Sequence, residues 1–135
     1  MAERDYSATP LWKKLGLKEG SRFCILGSPD GFGMDYPGSV VLLRKLAGRF
    51  EVILVFATRE ARLKRDFTRA KGYLTPAGGL WIAYPKKSSA IATNLTFENV
   101  QRVGLDSGLV DNKSCAINED WSGVRFVYRL KDRPG

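Results

Sequence analysis

Any chemistry in this chain must be carried by lysines, arginines, carboxylates, hydroxyls and two cysteines, because its 135 residues include no histidine. That absence removes Ser-His-Asp and Cys-His nucleophile pairs, imidazole acid-base catalysis and the usual zinc sites. Cys24 lies in Phe23-Cys24-Ile25-Leu26 and Cys115 in Ser114-Cys115-Ala116-Ile117, short apolar runs without a CxxC spacing or a basic, exposed setting. Both therefore read as buried structural thiols. Among the carboxylates, adjacent Glu119 and Asp120 read as solvent-facing, and Asp30 in Pro29-Asp30-Gly31 reads first as a turn former. No catalytic residue, metal site or cofactor is assigned. What remains is cationic: 22 Lys and Arg against 14 Asp and Glu give a net charge of +8, which favours anionic partners.

The elements that must position these groups fit one domain, 1–135, with loose tails at about 1–6 and 131–135. No stretch approaches the roughly 20 apolar residues of a membrane span, and no signal-peptide core follows Met1, so the expectation is a cytoplasmic protein. Thr9 to Gly16 reads as a short helix with Thr9 at the N-cap, Pro10 at the first helical position and Gly16 just past the end. Phe23 to Leu26 and Val40 to Leu43 read as strands, and the apolar run Val52 to Ala57 as the centre of the sheet. From Arg59 to Lys71, Leu63, Phe67, Ala70 and Leu74 form one helical stripe. Leu74 to Gly79 then reads as a turn and Leu80 to Tyr84 as a strand. Thr96 caps a helix running to about Ser107, with Leu95 and Val100 as a hydrophobic staple and Gly108 as its stop. Ser114 to Ile117 and Val124 to Leu130 flank a hairpin loop, Asn118 to Gly123. Arg125 and Arg129 share one face of that last strand, a wet face that a partner subunit would cover.

This alternation predicts an α/β fold, a Rossmann-like three-layer sandwich whose mostly parallel sheet, with helices on both faces, ends in an antiparallel hairpin. One connection is tight. Lys45 to Glu51 is too short for a crossover helix, but seven extended residues span about 23–25 Å, enough to cross one neighbouring strand, so the direction of the second strand stays open.

In such sheets ligands bind outside the carboxyl ends of the strands. Gly27 to Phe32, Thr58-Arg59, Pro85 to Ser89 and Asn118 to Ser122 all fall there. Arg59, Lys86 and Lys87 supply charge, Ser28, Thr58, Ser88 and Ser89 hydroxyls, Asp30 and Gly31 a turn, and Trp121 a flat face, which makes an anionic small molecule the expected ligand. The plainer alternative is a solvated Pro85-Lys86-Lys87 turn with Trp121 as a plug at the sheet's edge. A second basic feature is the Arg59 to Lys71 helix, where Arg62, Arg65 and Arg69 form a stripe opposite the apolar face. It suits nucleic acid phosphates, yet no reading motif accompanies it and a charged outer face is ordinary.

From Val52 to the end, the order strand, helix, Leu74-Thr75-Pro76-Ala77-Gly78-Gly79-Leu80, strand, helix ending in Gly108 and terminal hairpin resembles the distal half of class I S-adenosylmethionine-dependent methyltransferases. The proximal half departs from that family's pattern of an acidic-Gly-x-Gly-x-Gly turn after the first strand and an acidic residue after the second. Here the first turn is Gly27-Ser28-Pro29-Asp30-Gly31-Phe32-Gly33, where Pro29 lacks a backbone donor, and the second strand ends in Arg44-Lys45. The chain from about Tyr6 to Arg129 is also similar to an uncharacterised bacterial family, the domain of unknown function numbered 3052. That resemblance rests on Thr9-Pro10-Leu11, Pro29-Asp30-Gly31-Phe32, Gly79-Leu80-Trp81-Ile82-Ala83-Tyr84-Pro85-Lys86-Lys87, Thr93-Asn94-Leu95-Thr96 and Trp121-Ser122-Gly123, with Tyr84 and Asn94 standing in for Trp and Asp. It implies a fold and no activity.

Three readings follow, in order: a non-catalytic module binding an anionic small molecule or partner at the strand ends; a nucleic-acid-associated protein using the Arg62-Arg65-Arg69 face; and a divergent methyltransferase.

Overall fold

The apolar run at the centre of the sequence becomes the strand on which the rest of the chain is assembled. In this computed structural model, which describes residues 9–134, the chain forms α1 (Leu11–Leu15), β1 (Arg22–Leu26), β2 (Val41–Leu43), β3 (Phe50–Phe56), α2 (Glu60–Lys71), β4 (Leu74–Pro85), α3 (Phe97–Asp106), β5 (Leu109–Ala116) and β6 (Trp121–Tyr128). One six-stranded sheet has the order β2-β1-β3-β4-β6-β5. Strands β1 to β4 run parallel, and β6 returns antiparallel to both β4 and β5. The expected α/β Rossmann-like architecture is therefore present.

Side chains alternate across the sheet. Ile53, Val55, Leu80, Ile82, Val124 and Phe126 face Leu63, Phe67 and Ala70 of α2 and Val100 and Val103 of α3. Phe23, Ile25, Leu54, Phe56 and Trp81 point the other way, against Leu15 and Leu17 and half-buried Leu11, Trp12, Phe32, Met34 and Tyr36. The two long helices thus share one face, and the other is covered by α1 and loops. Trp81 anchors this thin layer: it is fully buried, and its indole N–H donates to the Leu15 carbonyl at 3.0 Å.

The short connection after β2 settles that strand's direction. β2 is parallel to β1, and the chain crosses β1 to reach β3. The Arg22 guanidinium holds the crossing, donating to Arg49 O at 2.8 Å and Ala47 O at 2.7 Å. Beneath it the Cys24 thiol donates to Lys45 O at 3.5 Å. Burial raises this thiol to about 11 from an ordinary value of 9.0. The neutral thiol is therefore favoured by folding, so its contribution is complete below pH 9 and is lost as pH rises from 9 to about 11. Urea titrations at pH 8 and pH 11 are expected to show a smaller stability loss in Cys24→Ala than in the wild type.

Several local expectations need correction. Pro10, with φ −66° and ψ 152°, is the N-cap of α1 rather than its first helical residue, and its carbonyl accepts from Lys13 and Lys14 N–H. Leu74 to Gly79 is no turn but the start of β4, and Leu74 therefore leaves the α2 stripe. Phe50 pairs with Leu74 and Val52 with Gly79, so the turn-forming residues are absorbed as a bulge in a continuous strand. Trp121 to Gly123 belong to β6 rather than to a loop, and β5 begins at Leu109, five residues before the expected Ser114. Arg129 lies beyond β6, and Leu130–Asp132 form a 3-10 turn where a loose tail is expected. Cys115 is half-buried on edge strand β5, unlike fully buried Cys24. The expected tail at 1–6 lies outside the described residues.

Candidate functional site

The carboxyl ends of β1, β3 and β4 meet the β5–β6 hairpin at one edge, as Trp121 pairs with Pro85. β1 leads outward to β2, while β3 leads the opposite way to β4. Their junction is the topological switch point, the crevice where open α/β sheets hold ligands.

Here that crevice is occupied by the chain itself. Gly27, at φ +69°, presses so close that an added Cβ would stand 2.9 Å from the Phe56 carbonyl oxygen. The Phe56 ring is met edge-on by Phe32 at 4.8 Å and by Trp121 at 5.0 Å. Trp121 is only 5% exposed, so it acts as the plug rather than as an open stacking face. The remaining cavity, about 150 Å³, touches Gly27, Thr58 and Arg62. Beside it one amide of the first turn of α2 is taken, Glu60 N–H donating to Asn94 Oδ1 at 2.9 Å, and Thr93 Oγ1 and Asn94 N–H bond the Thr58 carbonyl.

A roomier cavity, about 240 Å³, lies beside the end of β4 and the start of α3. Tyr84, Lys86, Lys87, Thr96, Glu98 and Ser122 line it. The lysines sit on a fixed turn: Lys86 N–H donates to Asp120 O at 2.8 Å, Ser89 N–H to Lys86 O at 3.0 Å, and Ser89 Oγ to Asp120 Oδ1 at 3.0 Å. Thr96 and Asn99 form a reciprocal capping box, so the Thr96 and Asn99 amides are satisfied. The Phe97 and Glu98 amides, the first two of α3, have no intrahelical partner. Burial, reinforced by the Glu98 charge, raises the Tyr84 hydroxyl and keeps it a donor.

The expected strand-end residues are therefore divided. Thr58 and Trp121 belong to the filled crevice, and Lys86 and Lys87 to the open cavity. Ser28 accepts a hydrogen bond from Arg44 at 3.2 Å, and Arg59, Asp30, Gly31 and Ser88 line neither cavity. The Pro29–Phe32 turn is closed by Phe32 N–H to Pro29 O, with Gly31 left-handed at φ +81°. On α2, Asp66 is buried and draws in Arg62 at 3.0 Å and Arg65 at 3.8 Å, which neutralises part of the basic stripe. Tyr84 and Glu98 are the site residues that sequence reasoning missed, and Phe32 and Ser122 fall in the expected strand-end segments without an expected role. Only Thr96 carried a local signal, its capping chemistry.

Several solved structures share this architecture. A ribosomal protein L11 methylase from Lactobacillus delbrueckii subsp. bulgaricus matches at TM-score 0.56 and 9% identity over 87% of this chain and 74% of that one. Magnesium protoporphyrin IX methyltransferase from Synechocystis PCC 6803, solved with bound S-adenosylhomocysteine, matches at 0.60 and 8% over 82% and 75%. A methyltransferase from Aquifex aeolicus dependent on S-adenosylmethionine matches at 0.59 and 14% over 86% of each chain. The fold is that of the S-adenosylmethionine-dependent methyltransferases. No family model and no curated sequence matches the chain.

The residues present do not fit that fold's cofactor. A cavity of about 150 Å³ is about half the roughly 300 Å³ at which pockets begin for drug-sized ligands, the size class of this cofactor. No helix follows β1 to offer its N-terminus, since residues 27–40 are irregular. Where the family's pattern has an acidic residue after the second strand, Arg44 instead reaches across to Ser28.

Proposed function

We propose that the chain is a methyltransferase-fold module that binds an anionic small molecule at the carboxyl edge of its sheet without transferring a methyl group. The observation that carries this reading is the displacement of space and charge: Phe32 and Trp121 fill the crevice, while Lys86 and Lys87 line the larger cavity one strand away. In that cavity the lysines meet the negative charge, Tyr84 and Ser122 donate from their hydroxyls, and Glu98 selects ligands that also carry a donor. The same reading places the chain in the uncharacterised family numbered 3052, on the short motifs it shares, and in the cytoplasm; no helix of the described residues is long and apolar enough to cross a membrane.

The test is a thermal-shift screen at fixed ionic strength against inorganic phosphate, ATP, GTP, NADP, S-adenosylmethionine and short RNA and DNA. A ligand at a hundred times its dissociation constant stabilises the native state by about 2.7 kcal/mol, a shift of several degrees in this size range. The expected result is a shift with a small anion. Replacing Lys86 and Lys87 together by Ala should weaken that ligand by about ten- to a hundredfold, the worth of a charge-assisted hydrogen bond. Unchanged affinity overturns the site. A second reading, a divergent methyltransferase, is favoured by the fold of the neighbours and predicts a shift with S-adenosylmethionine.

A further inference from the structure

The opposite edge of the sheet holds the largest of the cavities described here, about 330 Å³, framed by the amino ends of β3 and β4 and by the segment between α1 and β1. It is independent of the strand-end site. Its polar lining is Lys18, Ser21, Glu51, Thr75 and Arg125, and Val52 and Ala77 supply apolar wall.

Arg125 is the unusual member. It projects from the middle of β6, opposite Trp81, onto the thinly covered face of the sheet. Its side chain lies flat on β4 because position 79 is glycine: a Cβ there would fall 3.0 Å from the guanidinium carbon and closer still to Nε. Gly78 beside it is equally constrained, its Cβ position being 2.7 Å from Thr75 Oγ1 and 2.9 Å from Glu51 O. Gly79 thus lets the guanidinium lie against the wall, while Gly78 lets Thr75 and the Glu51 backbone close in beside it. Burial strips water from this cation and lowers its basicity. Among the described residues it forms no ion pair, and its one side-chain hydrogen bond, to Asn112 Oδ1, is long at 3.5 Å. Glu51 lines the same cavity but forms no ion pair with Arg125; its Oε1 accepts instead from the Arg22 backbone N–H at 2.6 Å. A partly desolvated guanidinium with donors to spare beside an open cavity is a receptor for a planar anion, which it grips with two parallel hydrogen bonds.

We propose that this cavity is a binding site for a small organic carboxylate, held bidentately by Arg125 with the Thr75 and Ser21 hydroxyls beside it and the ligand's body against Val52 and Ala77. A carboxylate is favoured over a phosphate because Glu51 lines the same cavity: one negative charge matches Arg125, whereas a dianion would face Glu51 uncompensated. Lys18, exposed at the rim, adds attraction at long range.

The test is a titration of the full chain with acetate, butyrate and benzoate at fixed ionic strength, with inorganic phosphate as the competing arm, followed by NMR of the Arg125 Nε–H and the amides of residues 75–79. Saturable shifts at both places are expected, strengthening from acetate to benzoate as the apolar wall is used. Arg125→Gln should abolish them, and Arg125→Lys should weaken binding at least tenfold, since the ammonium lacks the fork. No saturable shift in the wild type overturns the proposal, even if neither variant folds. So does phosphate binding more tightly than every carboxylate, or binding that persists unchanged in a folded Arg125→Gln.

Discussion

Trp81→Ala should destabilise the protein by about 3–5 kcal/mol, the range for deleting a large aromatic from a packed interior. Trp81 is 0% exposed on the face that α1 and the loops cover, and its indole is the buried hydrogen bond that ties α1 to the sheet. Truncation leaves a void and also orphans the Leu15 carbonyl, so the two losses reinforce each other. Trp81→Phe keeps most of the packing and loses the N–H donor, and should cost less. Urea unfolding of the three proteins separates these terms. Equal midpoints for wild type and Trp81→Ala would mean that the thin layer contributes nothing to stability.

Gly104→Ala should also destabilise, by about 1–3 kcal/mol, through overpacking rather than through a cavity. A Cβ on Gly104 would stand 2.8 Å from Cζ of Phe126 and nearer to other ring atoms. That ring cannot move aside, because it is fully buried and meets Phe67 edge-on at 5.2 Å. Helix α3 must lift instead. Its first turn carries Thr96 and Glu98 of the proposed cavity, so the same substitution should weaken anion binding as well as lower the melting temperature. On an isolated helix Gly→Ala would stabilise, so the sign of the measured change decides whether α3 seats as closely as described.

Both effects depend on contacts between residues far apart in the chain, and this is where sequence reading reached its limit. Thr96, Leu95 and Val100 were legible because an N-cap and a staple are local chemistry, and β3 was legible because few structures accommodate six successive apolar residues. Leu74 to Gly79 misled because Thr-Pro-Ala-Gly-Gly has turn chemistry, while the partner that makes it a strand, beginning at Phe50, lies many residues away. Trp121 reads locally as a loop residue for the same reason: its strand partner is Pro85, and its ring's place against Phe56 depends on the whole sheet. Asp66 inside the α2 interface carried no signal, since its burial depends on the arginines that fold back to pair with it. The strand-end edge was foreseen as one site because parallel strands exit together, but aromatic packing divides it in two.

The most direct test of this account is isothermal titration of the wild-type chain with S-adenosylmethionine and S-adenosylhomocysteine. A crevice sealed by Phe32, Phe56 and Trp121 predicts no saturable heat from either compound up to millimolar concentration. Saturable one-to-one binding in the micromolar range, with a tryptophan fluorescence change that Trp121→Phe removes, would mean that the aromatic plug opens to admit the cofactor and would contradict the account.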